Sequence, residues 1–468
     1  MAFKSIDLPG RRRFIKSGAG LALGAGLGLK PLSAQPAGFR LIASHGQVKF
    51  SAQQDKPTQV MHYNQSIPGP VLRIPRGRES VILFENALDA SSSVHWHGLR
   101  IDNAMDGVPG MTQAPVQPGE SFEYRLTPPD AGSYWYHTHQ RSWEQMALGL
   151  AGALIVEEDE PPQVDQDLVF AIDDWRLDDA RQIDRKSLGS MHDWSHAGRM
   201  GNFITVNGQT ETRFAVARGE RIRLRLVNIA NARVMNLLLN EAQVSVIAID
   251  GQPVTPFDPE DGRIRLAPGQ RTDVIIDMQG EPGQRSLIEL VIGEYAYEVA
   301  SFVYADTPRR EQLLESPIQL APNPLQQTRL PDKFLHVPLL MQGGAMGGMR
   351  SAVFEGREMD LRELIEHRQV WAINGIAGLA KEPLFRVRRG TAISLDVVND
   401  NSWPHAMHLH GHHFIHHGTP GVWRDTALFA RGEEGSMRFI ADNPGKWLIH
   451  CHMVEHMAGG MVTWFEVT

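Results

Sequence analysis

The stretch VLRIPRGRESVILFEN, residues 71–86, decides the fold because it recurs twice along the chain. The second copy is FAVARGERIRLRLVN at 214–228, and the third is FRVRRGTAISLDVVN at 385–399. In every copy a Gly is followed nine residues later by an Asn, with alternating apolar and polar residues around that Gly. Alternation with a period of two is typical of half-buried β-strands. The sequence therefore predicts one β-rich unit repeated three times.

Two segments between the copies mark domain boundaries. The acidic, proline-containing run EEDEPP at 157–162 follows the first unit, and five prolines are spread over 306–334. Frequent Gly and Pro turns between short alternating strands are typical of antiparallel β-sandwiches. We therefore expect an all-β protein with three consecutive sandwich domains, at 37–160, 165–306 and 334–468.

The first 34 residues have the features of an export signal. RRRFIK at 11–16 precedes an apolar, Gly/Ala-rich stretch at 19–29, and LSA at 32–34 offers small residues for cleavage. The apolar stretch is too short and too rich in Gly to anchor the chain stably in a membrane. The pattern resembles a twin-arginine signal peptide, which implies the twin-arginine export machinery as a partner and a periplasmic or exported location in a bacterium. An ordinary secretory signal is the alternative.

Composition excludes several classes of protein. One Cys among 468 residues excludes an intramolecular disulfide framework and zinc sites built from several thiolates. Residues 1–34 carry a net charge of +5, from six Lys or Arg and one Asp, so removing them takes the chain from −8 to −13. An acidic surface argues against nucleic acid and anionic membranes as partners. The composition leaves the high count of 20 His to be explained.

The histidines follow the repeat. HWH at 95–97 begins nine residues after the Asn of the first copy, and HLH at 408–410 begins nine residues after the Asn of the third. The same count in the second copy reaches LLL at 237–239. A second set of motifs, HTH at 137–139 and HCH at 450–452, begins five residues after a Gly in the same two domains.

The middle domain has apolar residues at both positions. Counting from Gly283 places Ile288 and Leu290 where the second His pair lies in the other domains. Alternate residues of a strand face the same side, so each His-x-His motif presents two imidazoles to one face. Four such motifs in two related domains predict eight imidazoles around one cavity, with a structural middle domain. For a single motif, the alternative is an incidental pair or a surface metal trap.

The third domain also carries the ligand set of a blue-copper site. His405, His456 and Met461 accompany Cys451, whose side chain points away from its two His neighbours on the predicted strand. Two imidazoles, one thiolate and a distant thioether suit one-electron exchange at copper. The alternative for a lone Cys is a small buried apolar side chain. The flanking His and Met favour the copper site.

These motifs resemble those of the multicopper oxidases, the family of laccases and bacterial copper-resistance oxidases. They stand here as HWHG at 95–98, HTH at 137–139, HAMHLH at 405–410 and HCHMVEHMAGGM at 450–461. The resemblance covers essentially the whole mature chain, and every ligand position of the family is filled. It implies three cupredoxin-like Greek-key β-sandwich domains and four copper ions: one type 1, one type 2 and two type 3.

The resemblance also assigns ligands and an activity. It implies His405, Cys451, His456 and axial Met461 for type 1 copper, His95 and His408 for type 2, and His97, His137, His452 and His139, His410, His450 for the two type 3 ions. The implied reaction is one-electron oxidation of a donor at type 1 copper, coupled through Cys451 to four-electron reduction of O2 to water. Asp106 resembles the family's carboxylate beside the cluster, which relays protons, and a turn Asp before Gly is the alternative. Some bacterial relatives place a second carboxylate where this chain has Met457.

The sequence leaves the electron donor open. The main hypothesis is a laccase-like oxidase of phenols and aromatic amines, and the alternative is a periplasmic cuprous oxidase for copper tolerance. Met341, Met346 and Met349 could form a small Cu(I) docking site, or could be incidental packing in a Gly-rich loop. Asp425 could border the donor pocket and accept a proton. A non-enzymatic cupredoxin-fold scaffold is a third hypothesis, against which the complete ligand set argues.

Overall fold

The computed structural model describes residues 37–241, 243–312, 314 and 318–468. The predicted signal peptide at 1–34 therefore lies outside the described residues. Strands predominate in the described ranges and pair into three two-sheet sandwiches, which confirms the all-β prediction. Within these ranges, no helix is both long and apolar enough to cross a membrane.

The first sandwich is built from the strands that precede the acidic linker. Their bounds are β1 Ala37–Val48, β2 Thr58–Tyr63, β3 Gly69–Pro75, β4 Ser80–Asn86, β5 His95–His97, β6 Ser121–Leu126, β7 Gly132–His137 and β8 Ala151–Glu157. One sheet has the order β2-β1-β4-β6, and the other has the order β3-β8-β7-β5. A 3-10 turn at Asn103–Met105 follows β5, and the short helix α1 at Ser142–Gln145 follows β7.

The second sandwich occupies the middle of the chain. Its strands are β9 Gln166–Trp175, β10 Phe203–Val206, β11 Thr212–Val216, β12 Arg221–Asn228, β13 Met235–Leu239, β14 Val244–Ile249, β15 Gln252–Phe257, β16 Arg263–Leu266, β17 Arg271–Asp277, β18 Arg285–Ile292 and β19 Tyr295–Tyr304. The sheet orders are β10-β9-β12-β17-β14-β15 and β11-β19-β18-β13-β16. Helix α2 at Met191–Ser195 lies between β9 and β10, with 3-10 turns at Arg185–Ser187 and Glu260–Gly262.

The third sandwich follows a 3-10 turn at Pro324–Gln327. Its strands are β20 Leu335–Gly343, β21 Ser351–Phe354, β22 Arg357–Asp360, β23 Trp371–Ile373, β24 Arg386–Val387, β25 Thr391–Asp400, β26 His405–Leu409, β27 Phe414–His416, β28 Trp423–Arg424, β29 Thr426–Phe429, β30 Glu434–Ala441, β31 Gly445–Cys451 and β32 Val462–Val467. The main sheets have the orders β23-β20-β25-β30-β27-β28 and β24-β32-β31-β26-β29, beside the β21-β22 hairpin. Helix α3 spans Leu361–Glu366, and α4 spans Val454–Ala458.

The sheets are mixed, whereas the turn pattern predicted antiparallel ones. The first strand of each sandwich pairs in parallel with the long strand of its repeat: β1 with β4, β9 with β12, and β20 with β25. In each domain the chain passes through the opposite sheet before it returns beside its first strand. A strand reached by such a crossover can run parallel to its neighbour, which a hairpin connection does not allow.

The recurring Gly and Asn of the repeat have structural causes. The three glycines have φ values of 64°, 82° and 90° at the turn before the long strand, a region that favours Gly. At the end of that strand, Asn86, Asn228 and Asn399 are buried. Each Nδ2 donates to two backbone carbonyl oxygens at 2.8–2.9 Å, one of them in the segment that leads to the next strand. The Asn therefore fixes where the His-x-His strand begins.

The middle sandwich differs in register from the prediction. In the outer sandwiches, the first His of one motif lies opposite the first His of the other. Spacing from Gly283 placed Ile288 at the equivalent position, but Leu237 pairs with Leu290. The reason is that Gly283 lies two residues before its strand, whereas the matching glycines begin theirs. A shift of two residues along a strand brings a side chain from the same face into register, so the residue opposite Leu237 is still apolar and buried.

Candidate metal centre

Four strands place eight histidines around one buried space. β5 and β7 belong to the first sandwich and β26 and β31 to the third. β5 carries a whole His-x-His motif, and each of the other three strands carries the first His of its motif. The rings interleave between the sandwiches: His95 stacks on His410 with ring centroids 4.0 Å apart, and His97 stacks on His408 at 3.8 Å. His139 is partly exposed, and the other seven rings are buried. We refer to these eight rings as the octet.

The octet divides into groups that could each hold an ion. Within each group, one candidate ligand atom per residue lies within 4.8 Å of the others. The groups are His97, His137 and His452; His139, His410 and His450; and His95, His97 and His408. The first two coincide with the type 3 sets implied by the resemblance. The third contains the type 2 pair.

The rings are held by their outer nitrogens and leave inner nitrogens without partners. Nδ1 of His95, His137 and His408 each donates to a backbone carbonyl oxygen at 2.7–2.9 Å. Nε2 of the same three rings is buried and has no hydrogen-bond partner. Nε2 of His139 and His452 is likewise unpartnered. A metal-ligating His characteristically donates its other ring N–H to the protein, so the octet fits metal ions in the shared space.

Burial favours the neutral state, which metals require, in several rings of the octet. Loss of solvation, reinforced by the neighbouring imidazoles, holds the pKa of His97, His137 and His452 well below the ordinary value of 6.5. The pKa of His450 is lowered to about 3 for the same reason. Neutral imidazoles are metal ligands, whereas protonated ones are not.

A second cluster lies on the opposite face of β31. The Sγ atom of Cys451 is 3.5 Å from Nδ1 of His405 and 3.7 Å from Nδ1 of His456, and the two nitrogens are 3.0 Å apart. The centre of that triangle is about 2.0 Å from each atom, close to usual metal–nitrogen and metal–sulfur bond lengths. All three side chains and Met461 are buried. The cluster therefore has room for one ion.

Protein groups outside the triangle orient its two imidazoles. Nε2 of His405 donates to Oδ1 of Asn401 at 2.9 Å, and Nε2 of His456 donates to the carbonyl oxygen of His196 at 2.7 Å. Burial raises the pKa of the Cys451 thiol to about 12, so the bare protein keeps it protonated. Only a bound cation would hold it as the thiolate at neutral pH.

Asp106 lies where the resemblance predicted a carboxylate. It is buried, and its Oδ2 atom accepts a hydrogen bond from Nδ1 of His410 at 2.9 Å. Its Oδ1 atom lies 3.3 Å from Nδ1 of His95. Asp106 also ends the 3-10 turn before Gly107. It therefore lies beside the histidines, as the resemblance implied, and also in the turn that was the alternative. It thus links two rings from different sandwiches.

The three methionines of the predicted Cu(I) site do not share a surface. Met341 is buried in the core of the third sandwich, and Met349 packs with Met359 in a separate small cluster. Strand alternation along β20 turns Met341 inward. Only Met346 is exposed, at 77%. The prediction of a three-thioether docking site is therefore wrong.

Asp425 does not border a donor pocket, contrary to the sequence prediction. It is fully buried between β28 and β29. Its Oδ1 and Oδ2 atoms accept hydrogen bonds from Arg271 at 2.8 and 2.6 Å, and Oδ1 lies 3.1 Å from Nε2 of His97. The Arg271 contact lowers the pKa of Asp425 well below its usual range, against the opposing effect of burial. Asp425 thus stands behind the octet as an anion.

The surface next to His456 contains residues that sequence reasoning missed. His196 stacks on His192 with ring centroids 4.1 Å apart and an interplanar angle of 12°. The Trp403 ring lies 5.2 Å from that of His196 and donates its Nε1–H to the carbonyl of Ala345, next to Met346. We call His192, His196, Trp403 and Met346 the rim. Met346 was among the predicted Cu(I) docking residues, but no local motif marks the other three, because they come from two domains.

Comparisons with known proteins cover all three sandwiches. Sequence models described as multicopper oxidase match residues 44–161, 166–287 and 357–468. The chain is 28% identical over 439 residues to multicopper oxidase MmcO of Mycobacterium tuberculosis, covering 86% of this chain and 82% of that protein. A multi-copper oxidase structure from Pseudomonas thermotolerans has a TM-score of 0.81 and 27% identity, covering 93% of this chain and 100% of that one. Lac15 from a marine microbial metagenome has a TM-score of 0.74 and 36% identity, with coverages of 92% and 100%.

Proposed function

The chain belongs to the multicopper oxidase family and is a copper oxidoreductase that uses O2, and on this premise we propose a four-copper, laccase-like oxidase of phenols and aromatic amines. The observation that carries the proposal is the pair of adjoining clusters, the octet and the Cys451 triangle, with their neutral, inward-facing ring nitrogens. Bound copper would supply one-electron exchange at the triangle and the reduction of O2 to water at the octet.

We assign the ligands by proximity together with the family pattern. The proposed sets are His405, Cys451, His456 and Met461 for type 1; His95 and His408 for type 2; His97, His137 and His452 for one type 3 ion; and His139, His410 and His450 for the other. The eight rings of the octet and the two of the triangle account for half of the 20 histidines.

Cys451 connects the two clusters through the shortest possible length of chain. Its covalent neighbours His450 and His452 belong to the two different type 3 sets. Because side chains alternate on β31, the thiol faces the triangle while both imidazoles face the octet. An electron arriving at the thiolate therefore has two short through-bond routes to the octet.

Asp106 is the residue we assign to proton delivery. Its carboxylate contacts one type 2 and one type 3 ligand, so it borders both kinds of proposed position. A carboxylate there can orient a water molecule and pass a proton to reduced oxygen. Glu455 is also buried, but its Oε1 atom accepts a hydrogen bond from Asn231, and among the described residues no hydrogen bond joins it to the octet.

We place the donor at the rim. Its His196 carbonyl accepts a hydrogen bond from His456, so a donor resting on the rim is one hydrogen bond away from a type 1 ligand. The stacked imidazoles and the Trp403 ring offer flat faces for an aromatic donor. A cuprous ion has one exposed thioether here, Met346, instead of the three that were predicted. This favours the laccase-like donor over the cuprous alternative.

Oxygen uptake by the copper-loaded protein tests the donor assignment. We expect faster turnover of a methoxyphenol than of Cu(I). Replacing His192 by Ala should raise the KM for the methoxyphenol about 2- to 12-fold, the equivalent of one aromatic contact, with little change in kcat. Met346→Leu is the matched control. A strong preference for Cu(I) that is lost in Met346→Leu would replace the proposal with a cuprous oxidase.

Location remains part of the proposal. The twin-arginine motif at 11–16 supports export through the twin-arginine machinery to the periplasm or beyond. The net charge of −13 after removal of residues 1–34 disfavours nucleic acid as a partner. Replacing both Arg11 and Arg12 by Lys should leave the chain in the cytoplasm, and undiminished export would count against this route.

A further inference from the structure

Two aspartates from different sandwiches contact the octet in the same pattern. The first is Asp106, in the first sandwich. Its backbone carbonyl accepts the Nδ1–H of His95, from its own sandwich, at 2.7 Å. Its carboxylate accepts the Nδ1–H of His410, from the third sandwich, at 2.9 Å. These two rings are the ones that stack across the boundary at 4.0 Å.

Asp425 repeats the pattern from the other side. Its backbone carbonyl accepts the Nδ1–H of His408, from its own sandwich, at 2.9 Å. Its carboxylate accepts the Nε2–H of His97, from the first sandwich, at 3.1 Å. These two rings are again a stacked pair, at 3.8 Å. Because His95 matches His408 in the repeat and His97 matches His410, the aspartates are related by an approximate two-fold symmetry.

The symmetry is broken by an arginine from the middle sandwich. Arg271, at the start of β17, is fully buried and binds both oxygens of Asp425 in a two-pronged contact. Two more of its N–H groups donate to the carbonyl oxygens of Gly269 at 3.0 Å and Ser133 at 3.1 Å. In the described part of the chain, the only ion-pair contacts of Asp106 are to imidazoles. Only one of the two carboxylates is therefore locked by a permanent cation.

Glycines at two positions leave room for the Arg271–Asp425 pair and for the His97 ring. A Cβ atom on Gly98 would lie 2.5 Å from Nη2 of Arg271 and 2.5 Å from Oδ2 of Asp425. A Cβ atom on Gly269 would lie 2.9 Å from Cε1 of His97. All three distances are too short for a carbon contact. The backbone at Gly98 and Gly269 thus carries no side chain where the pair and the ring approach it.

We propose that Arg271 is a positioning residue for the trinuclear copper cluster, acting through Asp425 on His97. Nε2 of His97 is bound to Asp425, so Nδ1 is the atom left for a metal, and it is buried without a partner. His95 and His408 present the opposite nitrogen, Nε2. His97 must therefore be turned differently from its neighbours. The Asp425 carboxylate contacts Nε2 at 3.1 Å, and it also accepts a hydrogen bond from the Thr426 hydroxyl, which itself lies 3.2 Å from Nε2. This inference rests on the ligand sets given under Proposed function.

The physical reason lies in the shape of the guanidinium group. Its planar set of donors binds both carboxylate oxygens at once and so fixes the rotation of Asp425. Without Arg271, Asp425 would be a buried carboxylate without its cation, held by neutral donors such as the Thr426 hydroxyl at 2.8 Å and therefore less firmly fixed against His97. The middle sandwich, which supplies no ligand of its own to these sets, would then be required for the geometry of the cluster.

The test compares Arg271→Met with Arg223→Met. Arg223 is a matched control because it is equally buried in the middle sandwich and pairs with Asp273 at 2.7 Å and Glu158 at 2.7 Å, without contacting the octet. The measurements are copper retained per chain during titration with a chelator, the near-ultraviolet absorption of the type 3 pair, and urea unfolding. We expect Arg271→Met to hold cluster copper about 10- to 100-fold more weakly, with normal blue type 1 absorption. Arg223→Met should lose stability in urea but keep its cluster copper.

Two results would overturn the proposal. One is that Arg271→Met holds cluster copper as tightly as the wild type. The other is that Arg271→Met and Arg223→Met lose cluster copper equally, which would indicate general destabilisation. If Arg271→Met does not fold, Arg271→Lys keeps the charge without the two-pronged contact. Partial loss of cluster copper in that variant supports the proposal, and wild-type retention overturns it. A wild-type chain that binds copper only at the Cys451 triangle would instead overturn the proposed function.

Discussion

Replacing Asn228 by Ala tests the structural cause of the threefold repeat. Asn228 is fully buried, its Nδ2 donates to the carbonyls of Arg233 and Leu266 at 2.8 and 2.9 Å, and its Oδ1 accepts the N–H of Ala230 at 3.1 Å. Ala would leave three backbone groups without this partner. At about 0.5–1.5 kcal/mol for each hydrogen bond, the expected loss of unfolding free energy is about 3 kcal/mol.

Urea unfolding of the metal-free protein, followed by tryptophan fluorescence, measures this loss. Asn236→Ala is the control because Asn236 is exposed on the neighbouring strand β13, and we expect it to change stability by less than about 0.5 kcal/mol. Asn228→Asp should fall between the two, since it keeps the acceptor oxygen and loses the Nδ2 donors. A loss in Asn228→Ala of less than about 1 kcal/mol, or one equal to the control, would refute the hydrogen-bond explanation of the repeat.

Three further predictions concern the site. Cys451→Ser should abolish the blue absorption and donor oxidation while the far-ultraviolet circular dichroism stays unchanged; a variant that is still blue would contradict the type 1 assignment. Asp106→Asn should slow reoxidation of the reduced enzyme by O2 about 100-fold or more in stopped-flow experiments, with unchanged reduction by the donor, and equal slowing of both steps would argue against a proton role. The metal-free protein should lose stability as the pH falls from 7 to 5. Burial lowers the folded-state pKa of His456 to about 4 and of His450 to about 3, so the unfolded chain takes up protons first, below pH 6.5. Each ring should then lower the free energy of unfolding by about 2 kcal/mol at pH 5. Urea midpoints that do not change between pH 7 and 5 would be inconsistent with neutral buried rings.

The clustering of the proposed ligand residues was predictable because their pattern is local. A His-x-His motif on an extended segment places both rings on one face whatever the rest of the chain does. The fixed distance from the repeat Asn then identified the same place in two domains, and the Asn hydrogen bonds explain why that distance is constant. Cys451 between two His was interpretable for the same reason.

The contacts around the ligands were not predictable because they join distant parts of the chain. Arg271 and Asp425 are 154 residues apart, and His196 and His456 are 260 apart. Asp425 lies in a short polar segment that would suit a surface as well as a core. Met341 and Met346 belong to one Gly-rich stretch, yet one is buried and the other exposed, because β20 ends between them at Gly343.

The sequence by itself determined the repeated sandwich, the eight paired imidazoles and the thiol between two of them, because strand alternation and turn chemistry act over a few residues. Only the tertiary structure decided which carboxylate faces which ring, which methionine reaches the surface, and that Arg271 of the middle sandwich pairs with Asp425 behind the octet. Those outcomes depend on which faces of the three sandwiches meet. That meeting is set by the packing of whole sheets and leaves no mark in a local sequence pattern.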